Sequence, residues 1–147
     1  MNELTYINFT KIKNAIKYHQ EYEYTYFITI TTNYKYHDTK PILKKFRDYA
    51  HHHDRNSHII SVKEITTIAK GVHYHILYFT NSQLDYKKVH KKMPKFGTID
   101  IQLVKKTEED IKRVLKYMNK NKKSHKLKSK LAPNEIAKKV SIFDFKV

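Results

Sequence analysis

The sequence predicts an α+β domain with a central antiparallel sheet. Its core is a ferredoxin-like or RRM-like β-α-β-β-α-β arrangement, followed by one more helix. Three observations carry this prediction. Several short runs rich in Thr, Tyr, Ile and Val alternate with period two. Two of these runs are separated only by the six residues 66–71, too short a link for anything but an antiparallel hairpin. Two stretches with helical spacing separate the remaining runs.

Residues 24–32 (YTYFITITT) are the first strand. Residues 39–52 follow as a helix, with Pro41 suited to its first turn and Ile42, Phe46, Tyr49 and Ala50 at helical spacing. Residues 57–65 (SHIISVKEI) and 72–79 (VHYHILYF) form the hairpin. Residues 83–92 are a short basic helix ended by Pro94 and Gly97, and residues 98–104 (TIDIQLV) alternate as the fourth strand. The helix at 107–121 has a marked start: Thr107 can cap it, Asp110 sits three residues on, and Glu108 and Glu109 lie in the first turn. The expected organisation is one domain over residues 1–121, with 1–20 as an N-terminal extension of weak helical spacing (Ile12, Ala15, Ile16). Residues 122–147 are expected as a basic C-terminal tail, lysine-rich at 122–130 and open to a short helix or strand over 135–147.

Composition narrows the function. The chain has 147 residues, 39% hydrophobic and 13% aromatic, which suits a folded single domain and not a disordered chain. No run reaches the roughly 20 apolar residues of a membrane helix, and the first residues show no signal-peptide pattern, so a cytoplasmic protein without a membrane partner is expected. Cysteine is absent, which excludes disulfides, thiolate metal sites and a cysteine nucleophile. Two glycines cannot build a P-loop or a dinucleotide fingerprint. Thirty Lys and Arg against fourteen Asp and Glu leave a charge of +16. An AT-rich genome favours lysine codons, but it does not explain the excess over acidic residues. A polyanion, nucleic acid first, does.

Two constellations carry chemistry. In His73-Tyr74-His75 the histidines alternate on a strand, so both imidazoles leave one face of the sheet, where they suit a divalent metal. Glu64 lies on the preceding strand. If it pairs with His73, Val62 pairs with His75, and a His-His-Glu set forms across two strands. A slip of one residue would remove the carboxylate from that face. His58 competes weakly for the third position, and His51-His52-His53 reads as a solvated helix end. The second constellation is Tyr117 with Lys120. Arg113, Tyr117 and Lys120 stand at i, i+4 and i+7, beside the apolar stripe of Ile111, Val114, Leu115 and Met118. Of the twelve tyrosines, only Tyr117 has a lysine three residues on. A phenol is a weak nucleophile until a cation, metal or base activates it.

Together these motifs resemble the HUH single-strand endonucleases, in particular the rolling-circle replication initiators (Rep proteins) with one catalytic tyrosine. The resemblance covers roughly residues 24–121. It matches a Thr-bearing hydrophobic strand (Phe27 to Thr32), His-hydrophobic-His at His73 and His75, and Tyr-x-x-Lys at Tyr117 and Lys120. It implies that Tyr117 attacks a phosphate of single-stranded DNA, leaving a free 3′-OH and a 5′-phosphotyrosine, with Lys120 assisting. It implies Mg²⁺ or Mn²⁺ on His73, His75 and Glu64, and DNA contacts from Arg113, Lys116, Lys122 and Lys123. The partners implied are a single-stranded or hairpin DNA origin, a host helicase and polymerase, and a second copy of the chain. Tyr24, Tyr26, Tyr34 and Tyr36 are candidate stacking surfaces, at least half of them expected to pack within the sheet instead. The tyrosine follows the histidines, as in Rep proteins and unlike most relaxases, and Lys120 stands where IS200-type transposases typically carry Gln. Three rivals are such a transposase, a non-catalytic RRM-like RNA-binding module, and a non-haem iron oxygenase.

Overall fold

The computed structural model describes residues 9–32, 40–65, 72–92, 98–128 and 139–146. For residues 9, 40, 41, 65, 72, 119–128 and 139–146 it describes the backbone alone. The elements run α1 (Phe9–Glu21), β1 (Tyr24–Thr31), α2 (Lys40–His53), β2 (His58–Ile65), β3 (Val72–Thr80), α3 (Tyr86–Lys92), β4 (Thr98–Leu103), α4 (Glu108–Lys128) and β5 (Lys139–Lys146). The protein is α+β. Its strands form one sheet in the order β4-β1-β3-β2-β5, and every pairing is antiparallel.

Helices cover both faces of this sheet. On one face, Ile42, Phe46 and Ala50 of α2 and Val89 of α3 pack on Tyr26, Ile28 and Ile30 of β1 and on Tyr74, Ile76 and Tyr78 of β3. On the other, Ala15 of α1 and Ile111, Val114, Leu115 and Met118 of α4 pack on Phe27, Leu77, Phe79, Ile60 and Val62. Strand alternation sends successive side chains to opposite faces, so β1 and β3 need apolar residues at nearly every position to serve both cores. The apolar runs FITI and HILYF meet that need.

Three segments differ from the sequence expectation. The N-terminal extension holds a regular helix, α1, because Ala15 and His19 are buried against the sheet and Ile12 and Ile16 flank the second core. The helix expected to stop at 121 continues to Lys128. Residues 139–146, placed in a basic tail but open to a short helix or strand, are a strand paired along β2 from His58↔Lys146 to Ile65↔Lys139. Its apolar residues fall on both parities (Val140 and Ile142, Phe143 and Phe145), so it has no one-sided signature; its strand character needs the free edge of β2.

The start of α4 is held firmly. Thr107 Oγ1 accepts from the Asp110 N–H at 3.1 Å, and the Asp110 carboxylate accepts from the Lys105 N–H at 2.7 Å and from Arg113 Nε at 2.8 Å. The Arg113 side chain holds the Asp110 carboxyl below the usual carboxylate range. A clasp from α1 adds to this. His19 Nε2 donates to the Lys105 carbonyl at 2.8 Å, and Nδ1 accepts from the Thr25 hydroxyl at 2.7 Å. Lys106 Nζ donates to the carbonyls of His19 and Tyr22. Burial lowers the His19 pKa, so the ring is neutral and can accept as well as donate. The clasp ties α1 and β1 to the turn that launches α4. Among the described residues no helix is long and apolar enough to cross a membrane.

Candidate functional site

The α1/α4 face of the sheet can be read as rows of opposed residues. One row holds Thr98 on β4, Thr31 on β1, His73 on β3 and Glu64 on β2. The next holds Asp100, Thr29, His75 and Val62, and the one after holds Gln102, Phe27, Leu77 and Ile60. The register therefore sets Glu64 directly opposite His73, with Cβ atoms about 5 Å apart. His73 and His75 follow each other on the same face at about 7 Å along the strand.

These three side chains sit where core gives way to surface. Glu64 is fully buried and His75 nearly so. His73 is half-buried, with Nδ1 3.4 Å from Thr31 Oγ1. That contact leaves Nε2 as the ring nitrogen on the opposite side, open for another role. Two imidazoles and a carboxylate are a donor set for a divalent cation, and the nitrogen share suits Mn²⁺ better than Mg²⁺. Among the described residues, no three His, Asp or Glu side chains are drawn together into a finished coordination group. The face brings the donors into neighbouring rows and does not close them on a point.

Tyr117 joins them from α4. Its ring meets His75 edge-on, with centroids 6.5 Å apart at 88°, and meets Phe27 the same way at 6.0 Å and 81°. Phe27 in turn stacks on His75 at 6.1 Å and 15°. Tyr117 is 52% exposed although Val114, Leu115 and Met118 of the same helix are core residues. A large aromatic held at the rim by two rings, with half its surface in water, can present its hydroxyl to a ligand crossing this face.

The other expected site residues fall in varied places. Arg113 is exposed and paired with Asp110, so in this structure it serves the helix start. Lys116 is exposed on α4. Lys120, Lys122 and Lys123 lie within α4, and their side chains are outside the described ones, as are Tyr34 and Tyr36. His58 is corrected as an alternative ligand, and Tyr24 and Tyr26 are stacking candidates that pack within the sheet instead. His58 pairs with Phe79, six residues along β2 from Glu64, and packs on Tyr18 at 4.1 Å, too far down the strand to complete the histidine pair. Tyr26 is 1% exposed, its hydroxyl accepting from the Leu84 N–H, and both it and Tyr24 face α2 and α3, away from Tyr117. Neither can stack a base beside the tyrosine. Phe27 and Thr31, read only as strand residues, prove to be the supports of Tyr117 and His73. Their signal was their parity with His75 and His73 across β1 and β3.

His53 also departs from the reading of its triplet as a solvated end. Its Nε2 donates to the Gln83 carbonyl at 3.1 Å and its Nδ1 accepts from the Tyr78 hydroxyl at 2.8 Å. Burial pushes the Tyr78 phenol up to about 12, so it remains a donor throughout the neutral range.

Comparison with known proteins places these residues in a wider set. The model of the family described as "Virus, 117-like" matches residues 21–121, which span β1 to α4 and include every expected metal ligand and Tyr117. "Uncharacterized protein 117" of Sulfolobus islandicus rod-shaped virus 1 is 56% identical over 116 residues, covering 79% of this chain and 99% of its own. The crystal structure of the hypothetical protein ORF119 from the same virus is similar at a TM-score of 0.64 with 51% identity, covering 82% of this chain and 97% of that one.

Proposed function

The chain belongs to the 117-like family of viral proteins, and on that premise we propose that it nicks and rejoins single-stranded DNA through Tyr117. The observation that carries the reading is the meeting of Tyr117 with His75 on the face where Glu64 stands opposite His73. The strand order β4-β1-β3-β2, with α2 and α3 on one face, supports a ferredoxin-like core, and α4 on the other face is the tyrosine helix.

In this mechanism, DNA crosses the α1/α4 face beside β3. The Tyr117 hydroxyl oxygen attacks phosphorus in line, and its proton passes to solvent or a nearby base. The bond between phosphorus and the 3′ oxygen breaks, the 3′ oxygen takes a proton, and the 5′ phosphate stays on the tyrosine. Attack by another 3′-OH reverses the step, releasing Tyr117 and joining the strands. His73, His75 and Glu64 are the residues that would hold Mn²⁺ or Mg²⁺. The chemistry these residues would gain from such a cation is polarisation of the scissile phosphate and an offset for the charge developing on it. Phe27 and His75 hold the phenol in place, and Lys116, the residue before Tyr117, and Lys120, three residues after it on α4, would supply cations near the phosphate. The chemistry suits the start and end of rolling-circle replication. The viral origin of the relatives favours a viral genome as the DNA. An RRM-like module is less well supported, because α1 and α4 cover the face such modules leave open.

The test uses fluorescent single-stranded oligonucleotides, including AT-rich hairpins, with Mn²⁺ or with EDTA, read on a denaturing gel. The expected result is a protein–DNA adduct that needs metal and disappears in Tyr117→Phe. Tight binding without an adduct would move the reading to a non-catalytic module. An adduct that survives Tyr117→Phe would sink the choice of tyrosine.

A further inference from the structure

The face away from Tyr117 carries a second feature that nicking does not use. Between α2 and α3 lies a half-open cleft of about 510 Å³, lined by Lys45, Tyr49, His52, His53, Lys88 and Lys92. Asp48 completes the lining and is the only acid in it. Its carboxylate is paired with Lys44 at 3.2 Å, a lysine outside the lining. With Asp85 near Tyr49 as a second acid, the three lining lysines still outnumber the acids at the cleft.

The wall of the cleft is rigid. His53 is fixed at both ring nitrogens, by the Gln83 carbonyl and the Tyr78 hydroxyl. Tyr49 stacks on it with centroids 5.8 Å apart at 11°, and meets Phe46 of the core with centroids 6.3 Å apart at 39°. Burial, with Asp85 nearby, raises the Tyr49 phenol above its ordinary value, so it adds no negative charge. Lys88 and Lys92 come from α3 and Lys45 from α2, so the cations flank a flat aromatic wall from two sides. His52 is exposed at the same place.

We infer that this cleft is a second nucleic-acid site, which holds the backbone of single-stranded DNA on the face of the sheet opposite Tyr117. Separate lysines at a recess match successive phosphates of one strand. A recess admits a flexible strand better than a rigid duplex, which meets convex surfaces. The inference is independent of the chemistry at Tyr117. If that reading fails, the cleft still binds DNA.

Binding is measured by fluorescence anisotropy with a long labelled single strand, and separately with its duplex, across a salt series. The Tyr117→Phe background removes covalent capture. The cleft variant is Lys45→Gln/Lys88→Gln/Lys92→Gln. Its control is Lys13→Gln/Lys17→Gln/Lys91→Gln, the same charge change at exposed lysines elsewhere, and circular dichroism confirms that both fold. Losing three phosphate contacts makes the slope of log K against log salt shallower by about 2. Over a fourfold rise in salt, the unaltered cleft should then lose roughly 20-fold more affinity than the cleft variant. The control should keep the full slope. An equal change in both variants would mean general charge and overturn the inference, as would an unchanged slope in the cleft variant. A loss confined to duplex DNA would overturn the choice of ligand.

Discussion

Glu64 offers the most discriminating test of the proposed metal site. It is fully buried and stands directly opposite His73. A carboxylate in such a place carries a desolvation cost, which a bound divalent cation would offset. Gln has the same shape without the charge. With Mn²⁺ at about a hundred times its dissociation constant, the unaltered protein should gain about 2.7 kcal/mol. With a urea dependence of about 2 kcal/mol per molar, its unfolding midpoint should rise by about 1.3 M. If the variant binds Mn²⁺ a hundredfold more weakly, the same concentration yields only about 0.4 kcal/mol, or about 0.2 M. Urea melts followed by circular dichroism, with and without Mn²⁺ and with EDTA as reference, read both quantities. Equal Mn²⁺ shifts in the two proteins would refute Glu64 as a ligand.

Other expectations follow from the same geometry. Thr31→Val removes the hydroxyl 3.4 Å from His73 Nδ1, and Mn²⁺ affinity measured by titration calorimetry should fall about tenfold, while Thr29→Val should do less. The His19 pKa is lowered on folding, so its contribution to stability is complete above the unfolded value of 6.5 and is lost as pH falls below it. Urea midpoints should decline between about pH 7 and pH 5, and the decline should be shallower in His19→Gln. A chain ended after residue 128 loses β5 and bares the edge of β2. It should unfold at lower urea than the full chain and aggregate more readily by light scattering, whereas removal of an unstructured tail would change neither.

The strands of the core were legible because their signal is local. Alternation over residues 72–79 is enough to put both histidines on one face, and the shortness of the link to residues 57–65 is enough to make the pairing antiparallel. Parity left two classes of register, one with Glu64 on the histidine face and one without. The pairing of Glu64 with His73 keeps Val62, Ile60, Leu77 and Phe79 in one core; a slip of one residue would send them to the other face. Thr107 likewise announced the start of α4 through a contact only three residues long.

What lay outside local reach was whatever depends on distant partners. The N-terminal helix is amphipathic only weakly, and its decisive anchor is His19, whose bond to Lys105 spans 86 positions. The strand at 139–146 becomes a strand by meeting the edge of β2, an edge that exists only once the hairpin has folded. Tyr117 could be read as a core-edge residue or as a reactive one. Its distance from His75 follows from where α4 lands on the sheet, which the packing of Ile111, Val114, Leu115 and Met118 decides. The sequence alone determined the alternation, the charge and the cap, because neighbours in the chain suffice for them. The tertiary structure decided which face each chemical group shares with which other, because helix placement on a sheet is set by burial summed over residues far apart in the chain.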